Sequence, residues 1–175
     1  MAKIFITGAT GQVGSHLVEY LLNENELDIA SPQDIFCLVR NPAKASDLKQ
    51  LGVSIVEGDL QDCDTITEVM NNGITYVFHI AANILLNQTY EQMYIPNVLG
   101  TRLMLDAFAS SNAKCFIHTS SIAVYDDSKM KKQTFRANEN TPFGPLNGKP
   151  YPVTKRIAEN IVQDYAKRYP KRNLL

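Results

Sequence analysis

The chain has 175 residues, 45% of them hydrophobic and 20% charged. These are the proportions of one ordinary globular domain that buries its core without staples. Its 17 basic and 18 acidic residues leave a net charge of −1, without the basic footprint of a nucleic-acid or anionic-membrane binder. No apolar run approaches the roughly 20 residues that span a bilayer. Lys3 is followed by three apolar residues and a glycine turn rather than by a signal-peptide core, so the expected location is cytoplasmic. Cys37, Cys63 and Cys115 lie far apart without CxxC spacing and read as buried reduced thiols, not as a disulfide or a metal site.

Residues 3–7 (KIFIT) form a short apolar run, expected as a buried strand. Residues 11–22 place Val13, Leu17, Val18, Leu21 and Leu22 at helical spacing. After a polar loop over 23–34 come a strand at 35–39, a short helix over 42–50, a strand at 53–57, a helix over 62–71 and a strand at 75–80. Residues 90–110 read as one long helix, with Leu99, Leu103, Leu105 and Phe108 among its buried side. A fifth strand at 114–119 is followed by a polar segment over 126–150, rich in Pro, Gly and Asn. A loop of that length is either functional or merely mobile. The last helix covers 151–169 and stops at Pro170, and RNLL at 172–175 opens a sixth strand.

Strands alternating with crossover helices predict a doubly wound parallel sheet, Rossmann-like, in the order 3-2-1-4-5 with helices on both faces. The expectation is a single nucleotide-binding domain over 1–175. Such folds usually continue past this point, so the chain is expected to be cut short, the alternative being a frayed terminus of a small domain.

The turn TGATGQVG at 7–14 follows the first strand and opens the first helix, the context a dinucleotide fingerprint requires. Gly8 permits a tight turn, Gly11 lets main chain approach a pyrophosphate, and Gly14 lets helix and strand pack closely. Unpaired N–H groups at the helix start, from Thr10 through Gln12 and Val13, then face the anion. Strand two ends in Arg40, with no carboxylate to hold a ribose diol. A guanidinium there can grip a 2′-phosphate, which favours NADP over NAD, although a solvated surface arginine is the plain alternative. Asp59 and Leu60, just past strand three, are placed to meet the adenine, or Asp59 simply forms a turn.

Tyr151 and Lys155 (YPVTK) stand four residues apart, on one face of a helix that Pro152 is expected to open. A phenol is a poor acid–base catalyst at neutral pH, and a neighbouring ammonium favours its ionised form. Such a pair suits proton transfer. Thr119-Ser120-Ser121 ends the fifth strand at the carboxyl edge where ligands of open α/β sheets bind. A hydroxyl there either holds a substrate oxygen or caps a turn. His16, His79 and His118 share no ligand spacing and read as structural; no metal site is expected.

Taken together, TGATGQVG, GDL at 58–60, HIAA at 79–82, NVLGT at 97–101, TSSIAVY at 119–125 and YPVTK at 151–155 resemble the extended short-chain dehydrogenase/reductase superfamily, of the NAD-dependent epimerase/dehydratase type. LVR at 38–40 and SSIAVY look most like its 3β-hydroxysteroid dehydrogenase and dihydroflavonol reductase branch. The resemblance implies an acid–base role for Tyr151 with Lys155 as partner, a substrate-polarising hydroxyl at Ser121 rather than Ser120, and a helix asparagine at Asn97 that holds active-site backbone. It also implies that Ala81 and Ala82 line the cofactor pocket. Sugar-nucleotide dehydratases carry an acidic pair where Ile122-Ala123 stand here, epimerases an Asp at the end of strand two, and the family's substrate lobe beyond YxxxK is expected to be absent from this chain. The implied function is an NAD(P)-dependent oxidoreductase acting on a small-molecule carbonyl or alcohol. A nucleotide-binding sensor without turnover and an epimerase are the alternatives. The helices at 90–110 and 151–169 either pair across a homodimer axis or only cover the sheet.

Overall fold

The computed structural model describes residues 1–85, 87–126, 136–138 and 140–175. Of the long segment read as a functional or mobile loop, residues 127–135 and 139 therefore lie outside the described residues. The sheet is formed by β1 (Ile4–Thr7), β2 (Ile35–Val39), β3 (Ser54–Glu57), β4 (Tyr76–His79), β5 (Cys115–His118) and β6 (Asn173–Leu174). All pairings between these strands are parallel, and the order is 3-2-1-4-5-6. The predicted doubly wound sheet is present, with the RNLL segment adding β6 beside β5. Arg172 fixes that edge by donating to the carbonyls of Phe108, Ser111 and Ala113.

Strand alternation divides the core into two faces. Ile4, Ile6, Cys37 and Val39 pack under Val18, Leu21 and Leu48 of helices α1 (Gln12–Glu24) and α2 (Ser46–Gln50). Phe5, Val77 and Phe116 face the other way, against α3 (Cys63–Asn71) and the long helices described next. Cys37 and Cys115 are buried in their strands, and burial pushes the Cys37 thiol up to about 12. Cys63 is exposed at the start of α3, contrary to the reading of all three as buried, because the helix turns its first residue outward.

The expected single helix over 90–110 is three pieces: α4 (Tyr90–Tyr94), a π-helical turn (Ile95–Leu99) and α5 (Gly100–Ser110). Pro96 is the cause, since it has no N–H to offer the carbonyl of Gln92. The wider turn rotates the following residues, so Leu99 is 37% exposed while Met104, Leu105 and Phe108 enter the core. The final helix, α6, runs Pro150–Arg168; Pro150 rather than Pro152 takes its first position, which puts Tyr151 inside the first turn. No helix among the described residues is long and apolar enough to cross a membrane.

Candidate functional site

The parallel register brings the carboxyl ends of the strands to one edge and places Thr7, His79 and His118 side by side across β1, β4 and β5. The glycine turn leaves β1 at this edge. Gly8 has φ +78°, and a Cβ there would lie 2.7 Å from the Ala81 nitrogen. A Cβ on Gly14 would lie 2.7 Å from Ala9 Cα. Both positions exclude a side chain, as the fingerprint requires. Gly11 N donates to Gly8 O at 3.0 Å and Gly11 caps α1, whose start has no side-chain cap. The leading amides are thus left for an anion, with the helix dipole behind them.

Over this turn opens a cavity of about 870 Å³. Its walls come from the carboxyl ends of β1 to β5, from the kinked helix at Gln92, Ile95 and Pro96, and from α6. The turn gives Gly8, Thr10, Gly11, Gln12, Val13 and Gly14; β2 gives Arg40; β3 gives Asp59 and Leu60. The segment after β4 gives Ala81 and Ala82, β5 gives Thr119 and Ser120, and α6 gives Tyr151 and Lys155. A glycine turn that can cradle a diphosphate and a phenol–ammonium pair thus face one space. Leu60 meets α5 at Gly100, where a Cβ would fall 2.8 Å from Leu60 Cβ. The Asp59 carboxylate accepts from Gln61 N at 3.1 Å, so it forms a turn as well as lining the cavity. Ile84, Leu85 and Ile95 add exposed apolar surface to the lining.

Two predicted residues stand behind this lining. Asn97, 1% exposed, sits in the π turn. Its oxygen accepts from Asn83 N at 2.6 Å, and its Nδ2 donates to Asn83 O at 3.0 Å and to Thr154 Oγ1 at 3.2 Å. Asn83 in turn donates through Nδ2 to Gln92 O at 3.2 Å, the carbonyl that Pro96 leaves unpaired. The kinked helix is therefore stitched to the loop after β4 by two asparagines. Ser121 is the cap of a short turn, its oxygen accepting from Ala123 N at 3.2 Å. Ser120 does line the cavity, and its buried hydroxyl has no protein partner.

The histidines carry the polar chain that sequence reading did not find. Ala81 N donates to Thr7 Oγ1, which lies 2.8 Å from His79 Nδ1; His79 Nε2 lies 3.0 Å from Thr101 Oγ1, which donates to Asn97 O at 2.7 Å. Since the Thr101 proton is spent on Asn97, His79 donates from Nε2 and accepts at Nδ1 from Thr7. Burial holds His79 neutral, pushing it down to about 3, with Lys155 adding to the effect. The only advance sign was a threonine at the end of β1, at NVLGT and at YPVTK, residues that are usually read as turn or helix caps.

Lys155 is 2% exposed, and its Nζ donates to Thr119 O at 2.7 Å and lies 3.3 Å from His118 Nε2. Burial pushes this ammonium down to about 8, with Glu159 one turn along opposing the shift. Burial, followed by Lys155 and His79, keeps His118 neutral.

The NAD dependent epimerase/dehydratase family model matches residues 4–174. The chain belongs to this family. A 4-hydroxy-2-methyl-3-oxo-4-farnesyl-3,4-dihydroquinoline-1-oxide ketoreductase of Stigmatella aurantiaca is 30% identical over 160 residues, covering 91% of this chain and 45% of its own. The 3 beta-hydroxysteroid dehydrogenase type 7 of Mus musculus is 25% identical over 159 residues, covering 90% and 42%. The dTDP-glucose 4,6-dehydratase of Streptomyces venezuelae, solved with NAD bound, superposes with a TM-score of 0.81 at 21% identity, over 96% of this chain and 52% of that one; this likeness is one of fold. The chain spans about half the length of the curated relatives it matches.

Proposed function

We propose that this chain is the nucleotide-binding part of an NADP(H)-linked oxidoreductase that interconverts a carbonyl and an alcohol. One observation carries the reading: the glycine turn, Arg40 and the Tyr151/Lys155 pair line the same cavity. The residues fit a dinucleotide, because Gly8 and Gly14 let the turn pack tightly on the main chain of Ala81 and Ala9, and the start of α1 has no side-chain cap, which leaves its leading amides for a diphosphate. Bound there, the nicotinamide supplies or takes up the hydride.

The chain's own groups do the rest. The amides at the start of α1 hold the diphosphate, and Arg40, exposed at the end of β2, pairs with a 2′-phosphate. The Tyr151 hydroxyl gives a proton to the substrate oxygen on reduction and removes it on oxidation. Lys155 holds positive charge beside the phenol and the dinucleotide. The hydroxyl for the substrate oxygen comes from the end of β5: Ser121, the residue the resemblance names, lies outside the cavity lining but keeps its O–H available to donate, and Ser120 beside it lines the cavity with a hydroxyl that has no protein partner. Asn97 fixes the loop carrying Asn83 and, through Thr154, the first turn of α6.

The test is fluorescence titration of the chain with NADPH, followed by Tyr151→Phe. The wild type should bind, and the variant should bind equally while losing carbonyl-dependent NADPH oxidation. Absence of binding, or turnover unchanged in Tyr151→Phe, overturns the reading. An epimerase would use the same groups but leave NADPH unconsumed at the end of the reaction.

Exposed Tyr90, Tyr94 and Leu99 on the kinked helix support a homodimer through the 90–110 and 151–169 helices. Sedimentation velocity of the wild type against Tyr94→Glu checks it.

A further inference from the structure

Lys155, in the second turn of α6, lines the cavity and meets His118 at the end of β5 just outside the lining. An ammonium has three donors, and a buried one needs acceptors for them. Thr119 O takes one. His118 Nε2, 3.3 Å from Nζ, can take a second only if it carries a lone pair, which puts the imidazole proton on Nδ1. His118 Nδ1 is buried with no partner. The opposite tautomer would set an N–H against the ammonium and gain nothing at Nδ1. The His79 ring is stacked beside that of His118, with centroids 5.5 Å apart and an interplanar angle of 28°.

We propose that His118 is a positioning residue for Lys155: its Nε2 accepts one ammonium proton and, together with the Thr119 carbonyl, leaves the third N–H for a ligand in the cavity. The ligand role rests on the dinucleotide reading above; the His118–Lys155 link does not. The titratable groups around the ammonium are His79 from β4, His118 from β5, and Tyr151 and Glu159 from α6. An acceptor at His118 Nε2 favours the charged form of Lys155, so its loss should lower the Lys155 midpoint.

The test uses the full chain with lysine carrying carbon-13 at Cε, the Lys155 signal being assigned by its loss in Lys155→Met. A glutamine at 118 can present an amide oxygen near the place of Nε2, whereas an asparagine reaches only the place of Nδ1. The midpoint of Lys155 should fall by roughly one pH unit in His118→Phe and His118→Asn, and should stay within about 0.3 of wild type in His118→Gln. NADPH affinity at pH 8, measured on the same samples, should fall about 3- to 10-fold in the first two variants and hold in the third. A merely structural role would lower the melting temperature in all three and leave Lys155 unmoved; that outcome overturns the proposal. Nitrogen-15 spectra of the wild type decide the case if no variant folds: an unprotonated Nε2 on His118 supports the proposal, and a protonated one ends it. If wild-type protein binds no NADPH, the dinucleotide reading fails, while the Lys155 midpoints still judge His118.

Discussion

The side-chain amide of Asn97 donates to the hydroxyl of Thr154 across 3.2 Å, tying the π turn to the helix that carries Tyr151 and Lys155. Thr154 is fully buried, and its hydroxyl donates to the backbone carbonyl of Tyr151 at 3.1 Å. Thr154→Val keeps the shape but deprives Asn97 of this acceptor, and should cost about 1–3 kcal/mol in urea unfolding. Asn97→Ala should cost more, because it also strands the Asn83 amide. Thr154→Ser should restore most of the loss.

Gly8 and Gly14 should refuse alanine. At Gly8 the backbone is left-handed and the Cβ meets main chain of Ala81; at Gly14 it meets main chain of Ala9. Neither neighbour is a flexible side-chain end. Each substitution should destabilise by roughly 2–4 kcal/mol and abolish dinucleotide binding. Gly73→Ala, where φ is +81° but nothing lies within 4 Å, should cost only about 1–2 kcal/mol and leave binding intact.

Arg40→Ala should weaken NADPH binding about tenfold or more and leave NADH binding nearly unchanged. Isothermal titration with both dinucleotides checks this, and equal losses would assign Arg40 to a different contact.

The pH profile has two arms. His79, ordinarily near 6.5, is held down to about 3. Between those values the unfolded chain binds the proton and the folded one does not, so stability falls as pH drops from 6.5 toward 3. His118 adds to this fall in the same direction. Lys155, ordinarily near 10.5, is held to about 8. By the same linkage, stability rises with pH between about 8 and 10.5. The slope approaches roughly 1.4 kcal/mol per pH unit for each group. Dinucleotide affinity should move the other way on the alkaline arm, weakening as the ammonium is lost. Chemical denaturation across pH 4–10, with and without NADPH, measures both.

Native protein should react with a thiol reagent at Cys63 alone. Cys37 and Cys115 are buried, and burial pushes both thiols up. Peptide mapping after brief labelling reads the outcome.

Local sequence determined the strands, most helix spans and the glycine turn, because these depend on periodicity and on backbone freedom within a few residues. Ile35–Val39 emerged with the expected bounds. It also named the turn, Arg40 and α6 residues that converge on the cavity, since motif spacing fixes which residues share a turn or a helix face. Tertiary structure alone decided the rest. Pro96 was visible in the sequence, but whether it would break, bend or widen the helix depended on Asn83 reaching across to the freed Gln92 carbonyl. The histidines looked inert because their partners come from other strands and helices: Thr7 is 72 residues from His79, and Lys155 is 37 from His118. Hydrogen bonds of that span follow from sheet register and helix docking, which no window of sequence contains.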